Sequence, residues 1–270
     1  VATSSSPSSS SSSSVPSSSA IVSALRAAGC VFAEDEAELI LATARDVREL
    51  TSMVDRRVAG LPLEQVLGWA QFHGLRVHLD PGVFVPRRRT EFLVDQALAM
   101  APHASVVVDL CCGSGALGAA LAAALNGAEV HAADIDPAAV RCARRNLAPL
   151  GGRAHEGDLY AALPHGLRGR VDVLMANVPY VPTAEVPLLP AEAREHEPLV
   201  ALDGGADGLD VLRRVAAGAP EWLAPGGCLL TETSRRQAPD ALRAFADAGL
   251  TARLAVSEEL YAHVVVGELP

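Results

Sequence analysis

Lysine is absent from this 270-residue chain: its basic residues are all arginine, 22 of them against 32 acidic residues. Arginine and lysine differ in geometry and hydration, but not so much that a folded surface has no use for lysine, so the absence reflects coding composition rather than function. Net positive charge is lacking as well. At −10, with a pI near 5.2, the global field repels nucleic acid, which is not expected as a direct ligand. No apolar run approaches the ~20 residues of a membrane span, and no membrane contact is expected. The five cysteines, Cys30, Cys111, Cys112, Cys142 and Cys228, are odd in number and never spaced C-x-x-C, which predicts reduced, mostly buried thiols in a cytoplasmic protein. Ala27-Ala28-Gly29-Cys30 carries part of a lipoprotein cleavage pattern, but no basic start precedes it and Arg26 interrupts the apolar stretch. The eight histidines show no metal-ligand spacing, so structural or surface roles suit His73, His78, His155, His165 and His196, and no metal is expected.

What is present centres on two strand ends. The apolar run Val171 to Ala176 reads as a buried strand, and it delivers Asn177-Val178-Pro179-Tyr180 at its carboxyl end, where ligands bind in open α/β sheets. Upstream, Val106-Val107-Val108 runs into Asp109-Leu110-Cys111-Cys112-Gly113-Ser114-Gly115, a glycine turn that opens an alanine-rich helix. By itself Asn-x-Pro is most often a turn. The tetrapeptide nevertheless resembles the Asn-Pro-Pro-Tyr signature of S-adenosylmethionine-dependent enzymes that methylate planar nitrogens. In that chemistry the Asn177 side-chain carbonyl and the Val178 main-chain carbonyl accept the two N–H bonds of an amide, and Tyr180 stacks on its plane.

Gly113 to Gly118 also fits the G-x-G-x-x-G dinucleotide pattern, with Asp134 ending the next strand, so a nicotinamide enzyme is a rival. Both ligands place an anion on the backbone amides of a helix start and ribose hydroxyls on Asp134. Asp109 tilts the reading toward S-adenosylmethionine, since it could face an ammonium group that a dinucleotide lacks. Gly157-Asp158-Leu159 ends a third strand and suits adenine, with Asp158 accepting from the exocyclic amine and Leu159 covering the ring.

Leu61 to Gly68, Phe72 to Val77, Val85-Pro86-Arg87 with Thr90-Glu91, Asp134 to Pro137, Glu197-Pro198 and Ala201 to Leu209 complete a series of blocks in fixed order. On these blocks the chain resembles the HemK/PrmC family of protein-glutamine N5-methyltransferases. The resemblance implies cofactor contacts at Cys111, Cys112, Gly113, Ser114, Gly115, Asp134, Leu159 and Asn177, and an acceptor-glutamine site at Asn177, Val178, Pro179 and Tyr180. It also implies a Gly-Gly-Gln glutamine of a peptide-chain release factor as acceptor. Departures cluster on the acceptor side: Val178 stands for a proline, and Pro86-Arg87-Arg88-Arg89-Thr90-Glu91 replaces Pro-Arg-Pro-Glu-Thr-Glu. Arg89 is thereby expected to contact an anionic acceptor. Cys111 stands where the family carries glycine, and Thr233-Ser234 where it carries Ile-Gly.

The organisation follows from periodicity. Residues 1–20 form a serine tract that cannot bury enough surface to order. Ile21, Leu25, Leu39, Ile40, Val47, Leu50, Val54 and Val58 recur at helical spacing and predict a small helical substrate-recognition domain over 21–71. Residues 72–86 alternate about Asp80-Pro81-Gly82 and predict a linking hairpin. From 87 to 270, strands at Val106, Glu129, Arg153, Val171 and Gly227 alternate with helical patterns and imply a doubly wound, mostly parallel α/β sheet. Thr251 to Val256 and His263 to Val266 lie too close together for a crossover and predict an antiparallel C-terminal edge hairpin, as in the seven-stranded class I methyltransferase sheet. The favoured reading is a monomeric enzyme methylating a glutamine in a protein. The alternatives are a methyltransferase acting on an exocyclic amino group of a DNA or RNA base, which needs a basic cleft that only the three-arginine run offers, and a non-catalytic S-adenosylmethionine-binding module, which the intact Asn177 and Tyr180 argue against.

Overall fold

The computed structural model describes residues 16–270 and divides into two compact units between Leu63 and Glu64. Of the serine tract expected to be disordered, residues 1–15 lie outside the described residues. Ser18 to Ala20 already belong to the first helix, which corrects that boundary.

The first unit contains α1 (Ser18–Ala27), α2 (Ala33–Thr43) and α3 (Val47–Val58). Short polar side chains start two of them: Ser17 accepts from the Ala20 amide at 3.2 Å and Asp46 from the Glu49 amide at 2.8 Å, as N-caps do. Ile21, Leu25, Ala33, Ala37, Ile40, Leu50 and Met53 are buried. Leu39 and Val58, which apolar spacing assigns to the core, are exposed. Alanines take inward positions instead, since small side chains let short helices approach closely. Arg57 clasps the buried Glu36 in a two-pronged pair at 2.6 and 3.1 Å and donates to the Leu61 carbonyl at 2.8 Å, the geometry in which such pairs are strongest.

After α4 (Leu63–Leu67), β1 (Trp69–Phe72) and β2 (Leu75–His78) pair as an antiparallel hairpin. Its turn is His73-Gly74, with φ of 46° and 76°, the pair of left-handed residues that a two-residue hairpin requires. The expected turn at Asp80-Pro81-Gly82 therefore does not close the hairpin. Beyond it, Leu79, Val83 and Val85 pack on Cys142, and Gln65 holds the segment by donating to the Val83 carbonyl at 3.0 Å.

The remainder runs α5 (Glu91–Met100), β3 (Val106–Leu110), α6 (Ala116–Ala124), β4 (Glu129–Asp134), α7 (Pro137–Leu147), β5 (Arg153–Glu156), β6 (Val171–Ala176), α8 (Ala191–His196), α9 (Asp210–Trp222), β7 (Leu223–Thr233), α10 (Ala238–Asp247), β8 (Thr251–Ser257) and β9 (Ala262–Glu268). The strands form one seven-stranded sheet in the order β5-β4-β3-β6-β7-β9-β8, parallel except for β9, which is antiparallel to both neighbours. Along β3, Val107 faces one core layer with Leu93 and Leu121, while Val106, Val108 and Leu110 face the other with Leu212 and Val215. This two-sided burial is why the parallel strands read as continuous apolar runs. The chain builds outward from β3 to β4 and β5, then returns to lay β6 on the opposite side of β3. That reversal is the switch point at which open sheets bind ligands beyond their carboxyl ends.

Candidate active site

A cavity of about 460 Å³ opens at the switch point, walled by the ends of β3, β4 and β6 together with the segments after β5 and before α5. Of the residues singled out from sequence, Cys111, Cys112, Gly113, Ser114, Asp134, Asp158, Leu159, Asn177, Val178, Pro179, Tyr180 and Arg89 all line it. Asp109 and Gly115 do not. Asp109 is fully buried beneath the loop, where its Oδ2 accepts from the Gly118 amide at 2.9 Å and supports the α6 N-terminus, while its Oδ1 has no hydrogen-bond partner among the described residues. Gly115, at φ 74°, allows close packing: a Cβ there would lie 3.0 Å from that of Ala143.

The loop after β3 is shaped by unusual backbone. Cys111, a non-glycine residue, has φ 53°, and Leu159 in the segment after β5 has φ 48°. Such conformations cost a side chain roughly 1–2 kcal/mol, and strain of this kind gathers at ligand sites. Asp134 accepts from the Gly113 amide at 2.8 Å and the Asp136 amide at 2.9 Å, tying the ends of β3 and β4 together. Asn146 fixes the loop from behind, donating to the Ser114 and His78 carbonyls at 2.8 and 2.9 Å. Burial pushes the Cys111 and Cys112 thiols up, so neither is a nucleophile. It also raises the Asp109 carboxyl to about 7 and the Asp134 carboxyl to a lesser extent, while the amides that each accepts pull the other way. Asp158, assigned to adenine, ion-pairs with Arg214 at 2.6 Å, and Arg214 also lines the cavity.

The opposite wall is held by side chains. Glu197, nearly inaccessible, accepts from Arg87 Nη2 on both of its carboxylate oxygens at 2.7 Å and from the Val85 amide at 3.1 Å. Burial raises its carboxyl against the downward pull of Arg87. Glu232, on β7 and 3% exposed, accepts from Thr90 Oγ1 at 2.6 Å, Arg89 Nε at 2.8 Å and the Tyr180 hydroxyl at 3.3 Å. Arg89 also donates to the Tyr180 hydroxyl. Its Nε and Nη2 are thus engaged within the protein, while the side chain keeps 44% of its surface exposed. Burial, then the charge of Glu232, pushes the Tyr180 phenol up to about 12.

Between these walls Asn177 lines the cavity with its Oδ1 buried and unpartnered. No hydrogen bond reaches the Val178 carbonyl among the described residues. A buried acceptor left unmade costs about 1–3 kcal/mol, a cost that a donor-bearing ligand would remove. Glu232, Asn146, Arg214 and Gln237 escaped the sequence reading, and Glu197 entered it only within the Glu197-Pro198 block, without a role. The only signal for Glu232 was a charge two residues beyond the apolar run Cys228-Leu229-Leu230.

The arrangement is that of a class I methyltransferase. A structure from Pyrococcus furiosus described as a methyltransferase superposes with a TM-score of 0.56 over 81% of this chain and 98% of its own, at 15% identity, a likeness of fold. The methyltransferase small domain model matches residues 74–189. A release factor glutamine methyltransferase of Geobacter sulfurreducens is 42% identical over 199 residues, 73% of this chain and 69% of its own. The chain belongs to the release factor glutamine methyltransferase family. A 4-amino-L-phenylalanine/4-methylamino-L-phenylalanine methyltransferase of Streptomyces pristinaespiralis is 40% identical over 186 residues, 66% of this chain and 63% of its own.

Proposed function

We propose that the chain transfers a methyl group from S-adenosylmethionine to the N5 amide nitrogen of a glutamine in a protein, the Gly-Gly-Gln glutamine of a peptide-chain release factor. One observation carries this reading: the unpartnered Asn177 Oδ1 beside the unpartnered Val178 carbonyl, two acceptors set one residue apart for the two N–H bonds of a planar NH₂. The cavity fits the cofactor on the strained side, where Cys111 to Ser114 present backbone at a helix start and Asp134 and Leu159 close the wall.

 When bound, S-adenosylmethionine supplies a methyl group on a sulfonium sulfur, which departs with the bonding pair as the new N–C bond forms. Asn177 and Val178 hold the amide by its protons and turn its lone pair out of conjugation. Positioning of this order lowers a barrier by as much as about 7–11 kcal/mol. The same two oxygens face the positive charge that develops on nitrogen, an electrostatic contribution aimed at the transition state. Tyr180, its hydroxyl held by Arg89 and Glu232, stacks on the amide plane. The methylated nitrogen releases its proton to water, because its acidity rises as it becomes cationic, and no strong general base is needed. We assign selection of the protein partner to the helical unit, which exposes Val31 and Phe32.

A second acceptor class has specific support. The Streptomyces pristinaespiralis relative is named for an aromatic amine, whose NH₂ offers the same two protons to Asn177 and Val178. Incubating the chain with labelled cofactor and either a release factor carrying Gly-Gly-Gln or 4-amino-L-phenylalanine separates the two. Label at that glutamine, lost when it is replaced by alanine, is the expected result. Label on the amino acid alone would move the assignment to the second class, and label on neither would overturn both.

A further inference from the structure

The main-chain carbonyl of Tyr180 is a meeting point of three segments. Gln237, 5% exposed, stands in the turn between β7 and α10 and donates from Nε2 to the Tyr180 carbonyl and to the Asp207 carbonyl, both at 2.9 Å. Its Oε1 accepts from the Ser234 hydroxyl at 2.6 Å. Both amide protons and the carbonyl of this side chain are therefore engaged, which fixes the orientation of the amide. Gly208, at φ 79°, closes on the same atom, since a Cβ there would lie 2.2 Å from the Tyr180 oxygen and 2.4 Å from Gln237 Nε2. A Cβ at Gly204 would lie 2.6 Å from the Pro179 oxygen. Backbone bonds from Val181 to the Leu202 carbonyl at 3.0 Å and from Gly204 to the Val181 carbonyl at 2.8 Å complete the seam. Gln237 itself does not line the cavity.

We propose that Gln237 is a positioning residue for methyl transfer, setting the height of the Val178–Tyr180 main chain so that the Val178 carbonyl and the Tyr180 ring meet the acceptor nitrogen together. The inference rests on the proposed reading of Val178 and Tyr180 as acceptor-side groups. It gives the glycine-rich segment Asp203 to Asp210 a role as the bed on which that loop lies, with Gln237 as the pin.

Two variants test it. Gln237→Met keeps the bulk and removes both donors; kcat for the Gly-Gly-Gln release factor should fall about a hundredfold, the scale of a 1 Å misplacement, with S-adenosylhomocysteine affinity unchanged. Gln237→Glu keeps the shape but faces two carbonyls with a carboxylate, which burial holds above the ordinary value of about 4.3. Ionised, it repels them; protonated, it donates to one. Its kcat should be low at pH 8 and recover toward pH 5 relative to wild type, a profile that a purely structural loss would not produce. Wild-type kcat in the methionine variant, a loss that tracks cofactor affinity, or a glutamate variant without acid-side recovery would overturn the proposal. If wild type leaves the release factor unmethylated, the acceptor assignment falls, and amide exchange at Val181 and Gly204 decides the present inference: faster exchange in Gln237→Met at unchanged global stability supports it, and unchanged exchange overturns it.

Discussion

The two walls of the cavity are built by different means. Around the loop after β3 and the segment after β5, shape comes from main chain: left-handed Cys111, Gly113 and Leu159, with amides gathered on Asp134. Across the cavity, shape comes from side chains reaching far along the sequence: Arg87 to Glu197, Arg89 and Thr90 to Glu232, and Gln237 to Tyr180. A backbone wall depends little on side-chain identity and suits a ligand that stays constant. A wall of tethered side chains can be retuned by single substitutions, and it is there that Val178, Arg88 and Arg89 depart from the family pattern.

Four substitutions would break or sharpen this contrast. Asn177→Ala stands between the walls and should have the largest effect, lowering kcat about a hundredfold, as removal of one preorganised polar group does; near-wild-type turnover would reduce the tetrapeptide to a turn. Arg87→Ala leaves Glu197 buried without its counter-charge. It should destabilise the sheet unit by about 3 kcal/mol, at the low end for a broken buried pair because Arg87 is partly exposed, and a thermal melt that does not shift would show the side-chain wall to be dispensable.

Asp109 supports the backbone wall and makes it pH-sensitive. Its carboxyl is raised to about 7 by burial, against about 3.9 unfolded, so the native state holds a proton that the unfolded chain has already released. The stability this proton provides is complete below about pH 4 and fades as pH rises through 7, by on the order of 1.4 kcal/mol per pH unit. Asp109→Asn should flatten that slope in denaturant titrations, and an unchanged slope would place its origin elsewhere. The smallest effect belongs to Cys111→Gly, which should relieve left-handed strain and stabilise by up to about 1 kcal/mol with turnover unchanged; destabilisation would mean that the thiol packs more than it strains.

The backbone wall was the more legible of the two. Largely apolar runs ending in Asp109, Asp134 and Asn177, with the glycine turn at Gly157-Asp158, locate strand ends, and strand ends are where such folds place ligands. Glu197 and Glu232 were illegible because each finds its partner more than a hundred residues away, 110 for Arg87 and 142 for Thr90, and nothing local distinguishes a tethered carboxylate from a solvated one. The hairpin was misplaced because Asp80-Pro81-Gly82 is the louder turn motif, yet His73-Gly74 has the backbone that a two-residue connection needs. The ion pair of Arg89 with Glu232 was hidden for the same reason, since its partner lies 143 residues away.

The placement of β6 beside β3 also sets an order of assembly. Leu110 and Ala176 are paired neighbours in the sheet, but β4 and β5 intervene in the chain, so this contact closes a long loop of already ordered structure. Contacts of high sequence separation form slowly, since loop entropy is lost before they reward it. A chain emerging from the ribosome as far as the segment after β5 has its glycine loop, Asp134 and Asp158, but not Asn177, and the Gln237 turn is synthesised later still. The Asn177 and Gln237 parts of the transfer site are thus the last to be written.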